Sequence, residues 1–172
     1  FDLRVSALSP QTISLLNSIG AWEYVLRKRC YPYRRLRVWE KSGFGDVTFE
    51  AHQINREELG FIVENRIIRI ALWERISEIA KIDVYCPANF NKFAYLNNVI
   101  KVTLDDGNQL SAKLLIGADG ANSAVREASQ IKTSRYDYHQ SCLVASVRAP
   151  SATKDITWQR FLKSGPQAFL PI

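Results

Sequence analysis

Residues 114–126 read Leu-Leu-Ile-Gly-Ala-Asp-Gly-Ala-Asn-Ser-Ala-Val-Arg, and the reading of this stretch decides the fold. Leu114, Leu115 and Ile116 make an apolar run of the kind that forms a buried strand. The run breaks at Gly117-Ala118-Asp119-Gly120, and a helix is expected at once, opened by Asn122 and Ser123. A strand that turns through glycines into a helix start is a place to hold a phosphate or a sugar-alcohol chain. Glycines let the backbone approach a ligand, and free N–H groups at the helix start favour negative charge. Gly117, Asp119 and Gly120 are therefore candidate cofactor contacts. At the end of a strand the Asp119 carboxylate can accept from cofactor hydroxyls; it can equally cap the helix that follows. Ser123 is a helix cap or a donor to phosphate. Arg126, a turn later, suits a pyrophosphate or a surface ion pair.

Working outward, Ser9-Pro10 starts a helix that carries Ile13, Leu16 and Ile19 on one face and ends at Gly20. Residues 21–29 continue as a second short helix. Residues 36–40 and 47–50 read as strands joined by a turn at 42–46, and 60–63 as a third. The clearest helix spans 65–80, with Asn65 at its N-cap and Ile68, Leu72, Ile76 and Ile79 as its apolar stripe. Residues 82–86 read as a strand stopped by Pro87. Strands follow at 90–96 and 99–104, with Asp106-Gly107 as a hairpin signal. Leu110, Ala112, Leu114 and Ile116 alternate through the next strand into the glycine turn. After a helix at 121–128, residues 139–148, 157–162 and 168–170 are strand candidates. The order mixes α/β segments with antiparallel hairpins. It fits a mixed α/β (α+β) fold in which parts of a Rossmann-like dinucleotide-binding domain, 1–30 and 65–130, interleave with parts of a β-rich domain, 31–64 and 131–172.

Composition narrows the function classes. A 47% hydrophobic content argues against disorder. The three cysteines, Cys30, Cys86 and Cys142, form no C-x-x-C pair, which suits reduced thiols in a cytosolic protein. With His52 and His139 the only histidines, no metal site is expected. There is no secretory signal and no apolar run near the roughly 18 to 20 residues needed to span a bilayer. The net charge of +6 comes from one block: residues 27–37 hold six basic residues and no acidic one, and the remainder balances at 17 against 17. Such a block suits anionic headgroups or an acidic partner, or is simply a helix end running into a solvated strand. Nucleic acid, which charge alone permits, is not expected.

The string from Gly117 to Arg126 resembles the Gly-Ala-Asp-Gly-x-x-Ser-x-x-Arg motif of the flavoprotein aromatic hydroxylases. Asp2-Leu3-Arg4-Val5-Ser6-Ala7-Leu8-Ser9, Ile62-Val63-Glu64-Asn65 and Gly165-Pro166-x-Ala168-Phe169-Leu170-Pro171 look like the ubiquinone-biosynthesis branch, the UbiH/UbiF/VisC-type hydroxylases. The four motifs stand in the family's order and cover nearly the whole chain. Members also carry an early Gly-x-Gly-x-x-Gly for the ADP half of FAD and a later Gly-Asp at the ribityl chain; neither is found here. With Phe1 first, no Met and an apolar end, the chain is expected to be an internal fragment of a longer enzyme, binding FAD weakly or not at all by itself.

The resemblance implies an FAD-dependent monooxygenase that uses NAD(P)H and oxygen to hydroxylate the ring of a polyprenylated phenol in ubiquinone biosynthesis. It implies that the glycine-turn motif touches FAD and takes part in pyridine-nucleotide binding. Arg4 matches an arginine near the flavin. Asn65 aligns with a position that is often Gln and contacts the ribityl side; Asn keeps the amide but is shorter. No catalytic side chain is implied, because the reduced cofactor and oxygen deliver the hydroxyl group while the protein binds, orients and excludes water. Glu64, His52 and His139 are thus not required as acids or bases. Trp39, Phe161 and Phe169 are either pocket wall or ordinary core. A prenylated substrate lives in the bilayer, so the enzyme is expected in the cytoplasm with a peripheral contact at the inner membrane surface or with a ubiquinone-biosynthesis complex, and the basic block offers that contact. Two alternatives stand beside this one: a related hydroxylase of a small soluble aromatic, and a non-catalytic binding module.

Overall fold

The computed structural model describes residues 2–149 and 155–172. The chain is mixed α/β and falls into two compact units. One takes in the chain up to Ile82 and from Cys142 onward; the other runs Asp83–Ser141.

The first unit opens with β1 (Val5–Leu8), α1 (Pro10–Ser18), α2 (Trp22–Leu26) and β2 (Cys30–Tyr33). Helix α1 starts as its sequence dictates: Pro10 takes the first turn and the Ser9 hydroxyl accepts from Thr12 N–H at 3.3 Å. It ends at Gly20, where Gly20 N–H donates to Asn17 O and Ala21 N–H to Leu16 O, the bond pair of a Schellman stop. Helix α2 is shorter than the 21–29 expected. The middle of the basic block leaves it to become β2, an edge strand, where Pro32 costs no ladder bond. Strand β5 (Gly60–Glu64) lies between β1 and β2, antiparallel to both. This sheet thus combines residues 5–8 with 30–33 and 60–64, although the sequence suggests placing 31–64 in a separate domain.

Helix α3 (Asn65–Ser77) covers one face of that sheet. The core between them holds Leu8, Leu16, Ala21, Trp22, Val25, Val63, Ile67 and Ala71. The buried line of α3 is Ile67 and Ala71, flanked by Ile68 and Leu72, rather than the stripe through Ile76 and Ile79. A stripe by periodicity is fixed only to within one residue, and the small Ala71 is what permits close approach to α2. The N-cap of α3 is Glu64, and Asn65 is its first helical residue, a shift of one from the expected boundary.

A second sheet in this unit has the order β10-β9-β3-β4, from β3 (Arg35–Glu40), β4 (Asp46–Glu50), β9 (Ile156–Leu162) and β10 (Gly165–Phe169). β3 runs parallel to β9 and antiparallel to β4. Its register puts Leu36, Val38, Val47, Phe49 and Phe161 on one face, and Arg37, Trp39, Trp158, Arg160 and Phe169 on the other.

The second unit is a three-stranded meander, β6 (Phe90–Leu96), β7 (Val99–Leu104) and β8 (Gln109–Ala112), followed by the glycine turn and α4 (Ala124–Ala128). The Asp106-Gly107 turn closes β7 onto β8 as expected.

Three strands expected from pattern are not formed. Residues 82–86 join no strand ladder among the described residues, with Ile82, Val84 and Tyr85 exposed. The run Leu114–Ile116 lies beyond the end of β8, with Leu114 69% and Ile116 74% exposed, so it is not the buried strand that its composition suggests. Residues 139–148 also make no ladder. In each case the apolar pattern marks a segment to be covered, and no described strand stands beside it.

Candidate functional site

The glycine turn folds as a helix start that satisfies itself. Ser123 is the N-cap of α4 and its Oγ accepts from Arg126 N–H at 3.0 Å. One Asp119 oxygen accepts from the Ser123 hydroxyl. The other accepts from Ala124 N–H at 2.7 Å and Val125 N–H at 3.3 Å. The first three helical N–H groups thus all have side-chain acceptors. The Ser123 hydroxyl, then the N–H groups behind it, hold the Asp119 carboxyl below the usual range. Of the two roles open to Asp119 and Ser123, this conformation uses the capping one. Among the described residues Arg126 makes no ion pair; its Nη2 donates to Ala121 O at 2.8 Å. Arg135 reaches the same turn, donating to Asn122 Oδ1 at 2.8 Å.

The two glycines have different reasons to be there. A Cβ on Gly117 would sit 3.1 Å from Val125 Cβ and Cγ1, so this glycine lets α4 close over the turn. Gly120 has φ +89° with open space around it, so what it supplies is backbone conformation.

Arg4 and Asn65, 61 residues apart in sequence, meet in the first unit. Asn65 N–H donates to Arg4 O at 3.0 Å. The junction is fastened by an exchange between strands. Asp2 accepts from Arg4 N–H at 3.1 Å and from Arg66 N–H in the first turn of α3 at 3.2 Å. In return Asp2 N–H donates to Glu64 Oε2 at 2.7 Å. This is a capping box whose two halves come from different segments. Glu64, 5% exposed, turns away from its own helix to Arg29, whose Nε and Nη2 lie 3.0 and 2.6 Å from its Oε1. Burial pushes the Glu64 carboxyl up, but Asp2 N–H and the Arg29 guanidinium outweigh it and hold the group below the usual range. No sequence signal singled out Asp2 or Arg29. What identifies them is the register Val5↔Glu64, visible only in the sheet.

Two groups at this junction face outward with donors to offer. The Arg4 guanidinium makes no hydrogen bond or ion pair among the described residues, and the Asn65 amide nitrogen likewise has no acceptor among them. A guanidinium and an amide donor carried on neighbouring backbone positions suit a phosphate and a polyol chain. The glycine turn belongs to the other compact unit.

The basic block is not a free cationic patch. Arg27 pairs with Glu23, Lys28 with Glu74, Arg29 with Glu64, Arg35 with Asp155 and Arg37 with Asp46. Arg34 donates to Glu57 O. The composition count missed this because the balancing carboxylates lie 4 to 120 residues away. The aromatics also divide. Phe161 lies on the apolar face of the second sheet, whereas Trp39 and Phe169 lie on the opposite face, Trp39 edge-on to Trp158 with Arg37 stacked over both. His52 and His139 sit beside Glu50 and Asp137 in exposed pairs. Among the described residues no cluster could hold a metal ion, and no helix is long and apolar enough to cross a membrane.

A mixed α/β chain with a glycine turn and a donor-rich strand–helix junction has the parts of a flavin-nucleotide domain. The chain belongs to the FAD binding domain family, whose profile matches residues 3–167. It is 39% identical over 171 residues to the 3-demethoxyubiquinol 3-hydroxylase of Escherichia coli (strain K12), spanning 99% of this chain and 44% of that enzyme. It is 37% identical to the mitochondrial ubiquinone biosynthesis monooxygenase COQ6 of Mus musculus, across 100% of this chain and 38% of that protein. The chain therefore spans less than half the length of these relatives. Among solved structures, HpxO of Klebsiella pneumoniae, complexed with FAD and uric acid, superposes with a TM-score of 0.71 over 97% of this chain and 43% of its own, at 15% identity. PqsL of Pseudomonas aeruginosa in complex with 2-aminobenzoylacetate gives 0.65 over 78% of this chain and 37% of its own, at 23%. These two establish the fold.

Proposed function

We propose that this chain is part of an FAD-dependent monooxygenase that hydroxylates the aromatic ring of a polyprenylated phenol in ubiquinone biosynthesis, with NAD(P)H as electron donor. The observation that carries this reading is the match along the whole chain to a 3-demethoxyubiquinol 3-hydroxylase and a ubiquinone biosynthesis monooxygenase. The junction of β1 and α3 supports the cofactor half of it, since Arg4 and Asn65 stand together there with donors unused. Bound FAD would supply the redox chemistry, passing two electrons from NAD(P)H to dioxygen so that one oxygen atom enters the ring and the other leaves as water.

The chain's own residues bind and orient. Arg4 offers a guanidinium to phosphate or ring oxygens, and Asn65 an amide donor to the ribityl side. Asp119 and Ser123 fix the start of α4, and with Gly117, Gly120 and Arg126 they set the turn against which the nucleotide would lie. We assign the β1-β5-β2 sheet, α1–α3 and the second unit to the FAD-binding part, and the second sheet to the substrate part. The apolar face of that sheet, with Val47, Phe49 and Phe161 exposed, suits an aromatic ring and a prenyl tail. The unpaired apolar segments at 82–86 and 114–116 are assigned to strand pairing with the rest of the enzyme. A membrane contact, if the enzyme makes one to reach its substrate, does not rest on the basic block, because five of its six cations pair with carboxylates.

The test is flavin content and substrate choice of the full-length protein that contains this chain. Stoichiometric FAD, and NAD(P)H oxidation coupled to hydroxylation of a prenylated phenol but not its tail-less analogue, is the expected result. Coupled turnover of the tail-less phenol alone would move the reading to a soluble aromatic, and a folded protein without FAD would remove it.

A further inference from the structure

Ser6 lies on the face of β1 that carries Leu8 into the core beneath α3, so its side chain points at the helix. Its hydroxyl meets the Asn65 amide oxygen at 2.6 Å across 59 residues of sequence, in a half-buried setting. That separation is ordinary for a hydroxyl donating to an amide oxygen. The amide atom facing Ser6 is Oδ1, which accepts from the hydroxyl. An amide is planar, so holding Oδ1 inward turns the NH2 group outward. There it has no acceptor among the described residues. Among the described residues the Asn65 side chain makes no other hydrogen bond, and its backbone N–H is held by Arg4 O.

We propose that Ser6 is a positioning residue for the flavin nucleotide: it locks the Asn65 amide so that the site presents N–H donors, and the cofactor atom opposite is a hydrogen-bond acceptor. The inference rests on the FAD reading given above. An amide that lost the Ser6 hydroxyl could turn over at no steric cost, exposing a carbonyl where a donor is needed. Ser6 acts only through Asn65, which separates this role from a general contribution to folding.

The experiment measures FAD dissociation constants of the full-length protein by flavin fluorescence, beside thermal unfolding of the apoprotein. A hydrogen bond's usual net worth predicts that Ser6→Ala weakens FAD binding by roughly 3- to 10-fold. Ser6→Thr, which keeps the hydroxyl, stays within about 2-fold of wild type. Asn65→Asp keeps an acceptor for Ser6 but loses both outward donors, and should cost about 10-fold or more. In an Asn65→Ala background, Ser6→Ala should change FAD affinity by less than about 2-fold. An equal loss in both backgrounds, or wild-type affinity in Ser6→Ala, overturns the proposal while leaving the FAD reading intact. Should Ser6→Ala not fold, Ser6→Cys, similar in size with a weak donor, must show the same background-dependent loss. A folded wild-type protein that takes no FAD overturns both.

Discussion

Gly117 gives the sharpest test of how the glycine turn works. Replacing it with Ala places a Cβ 3.1 Å from both Val125 Cβ and Cγ1 and 3.4 Å from Ser123 Oγ. Contacts of 3.1 Å are tighter than carbon atoms ordinarily make, so α4 must give by a few tenths of an ångström. The retreat acts on a cap with little slack. Asp119 already reaches Val125 N–H at 3.3 Å, and that bond would pass out of range first. Overpacking of this kind costs about 1–3 kcal/mol. Urea unfolding of the full-length protein, followed by a probe local to the second unit, should show the loss as a lower midpoint with an unchanged slope. Val125→Ala removes one of the two clashing carbons, so Gly117→Ala should cost less in that background, with part of the penalty remaining because Val125 Cβ is also in the way. If Gly117→Ala leaves the midpoint unmoved, or costs the same in both backgrounds, the glycine is not there for the helix. Its role would then be ligand approach alone.

Ile62, 1% exposed in the central strand of the first sheet, should lose about 2–5 kcal/mol on replacement by Ala, read from the same unfolding midpoint. Acid should unfold the protein as a group: the carboxyls of Asp2, Glu64, Asp46, Asp155 and Asp119 are all held below their usual range. Depressed carboxyls stabilise the fold above their unfolded values and cease to as pH falls through the folded ones, so stability should drop below about pH 4. A steep drop between pH 6 and 5 would refute that origin. Arg35→Gln with Arg37→Gln should change partition onto anionic vesicles by less than about 2-fold, since both cations are paired. A tenfold loss in a vesicle sedimentation assay would restore the block as a membrane contact.

How much of this was legible in the sequence follows the range of the forces involved. The cap of α1, the stop at Gly20, the β3–β4 hairpin and the Asp106-Gly107 turn depend on neighbours a few residues away, and each forms where its residues put it. The strands expected at 82–86, 114–116 and 139–148 depend on partners distant in sequence. Their apolar patterns state a need for cover without naming the cover. The same divide runs through the charges. A block of six cations reads as a patch because the carboxylates that pair five of them come from five other places in the chain.

The candidate site falls on both sides of that divide. The motif from Gly117 to Arg126 is local, and its sequence spacing alone accounts for Asp119 and Ser123 covering the first N–H groups of α4. This locality is also why the motif cannot by itself certify a cofactor contact: the bonds that make it recognisable are bonds the turn makes to itself. Arg4 and Asn65 are the reverse. Arg4 has no local pattern worth noting and Asn65 only that of a helix start, so resemblance alone pointed to a cofactor. Yet the fold brings them together through Asn65 N–H and Arg4 O, and ties the junction with Asp2, Glu64 and Arg29. Their outward donors are unused, whereas the first three N–H groups of α4 are satisfied. The stronger physical case for a ligand therefore lies at the junction that the sequence hardly marks, and the cofactor affinities of Ser6 and Asn65 variants test it more directly than any substitution in the motif.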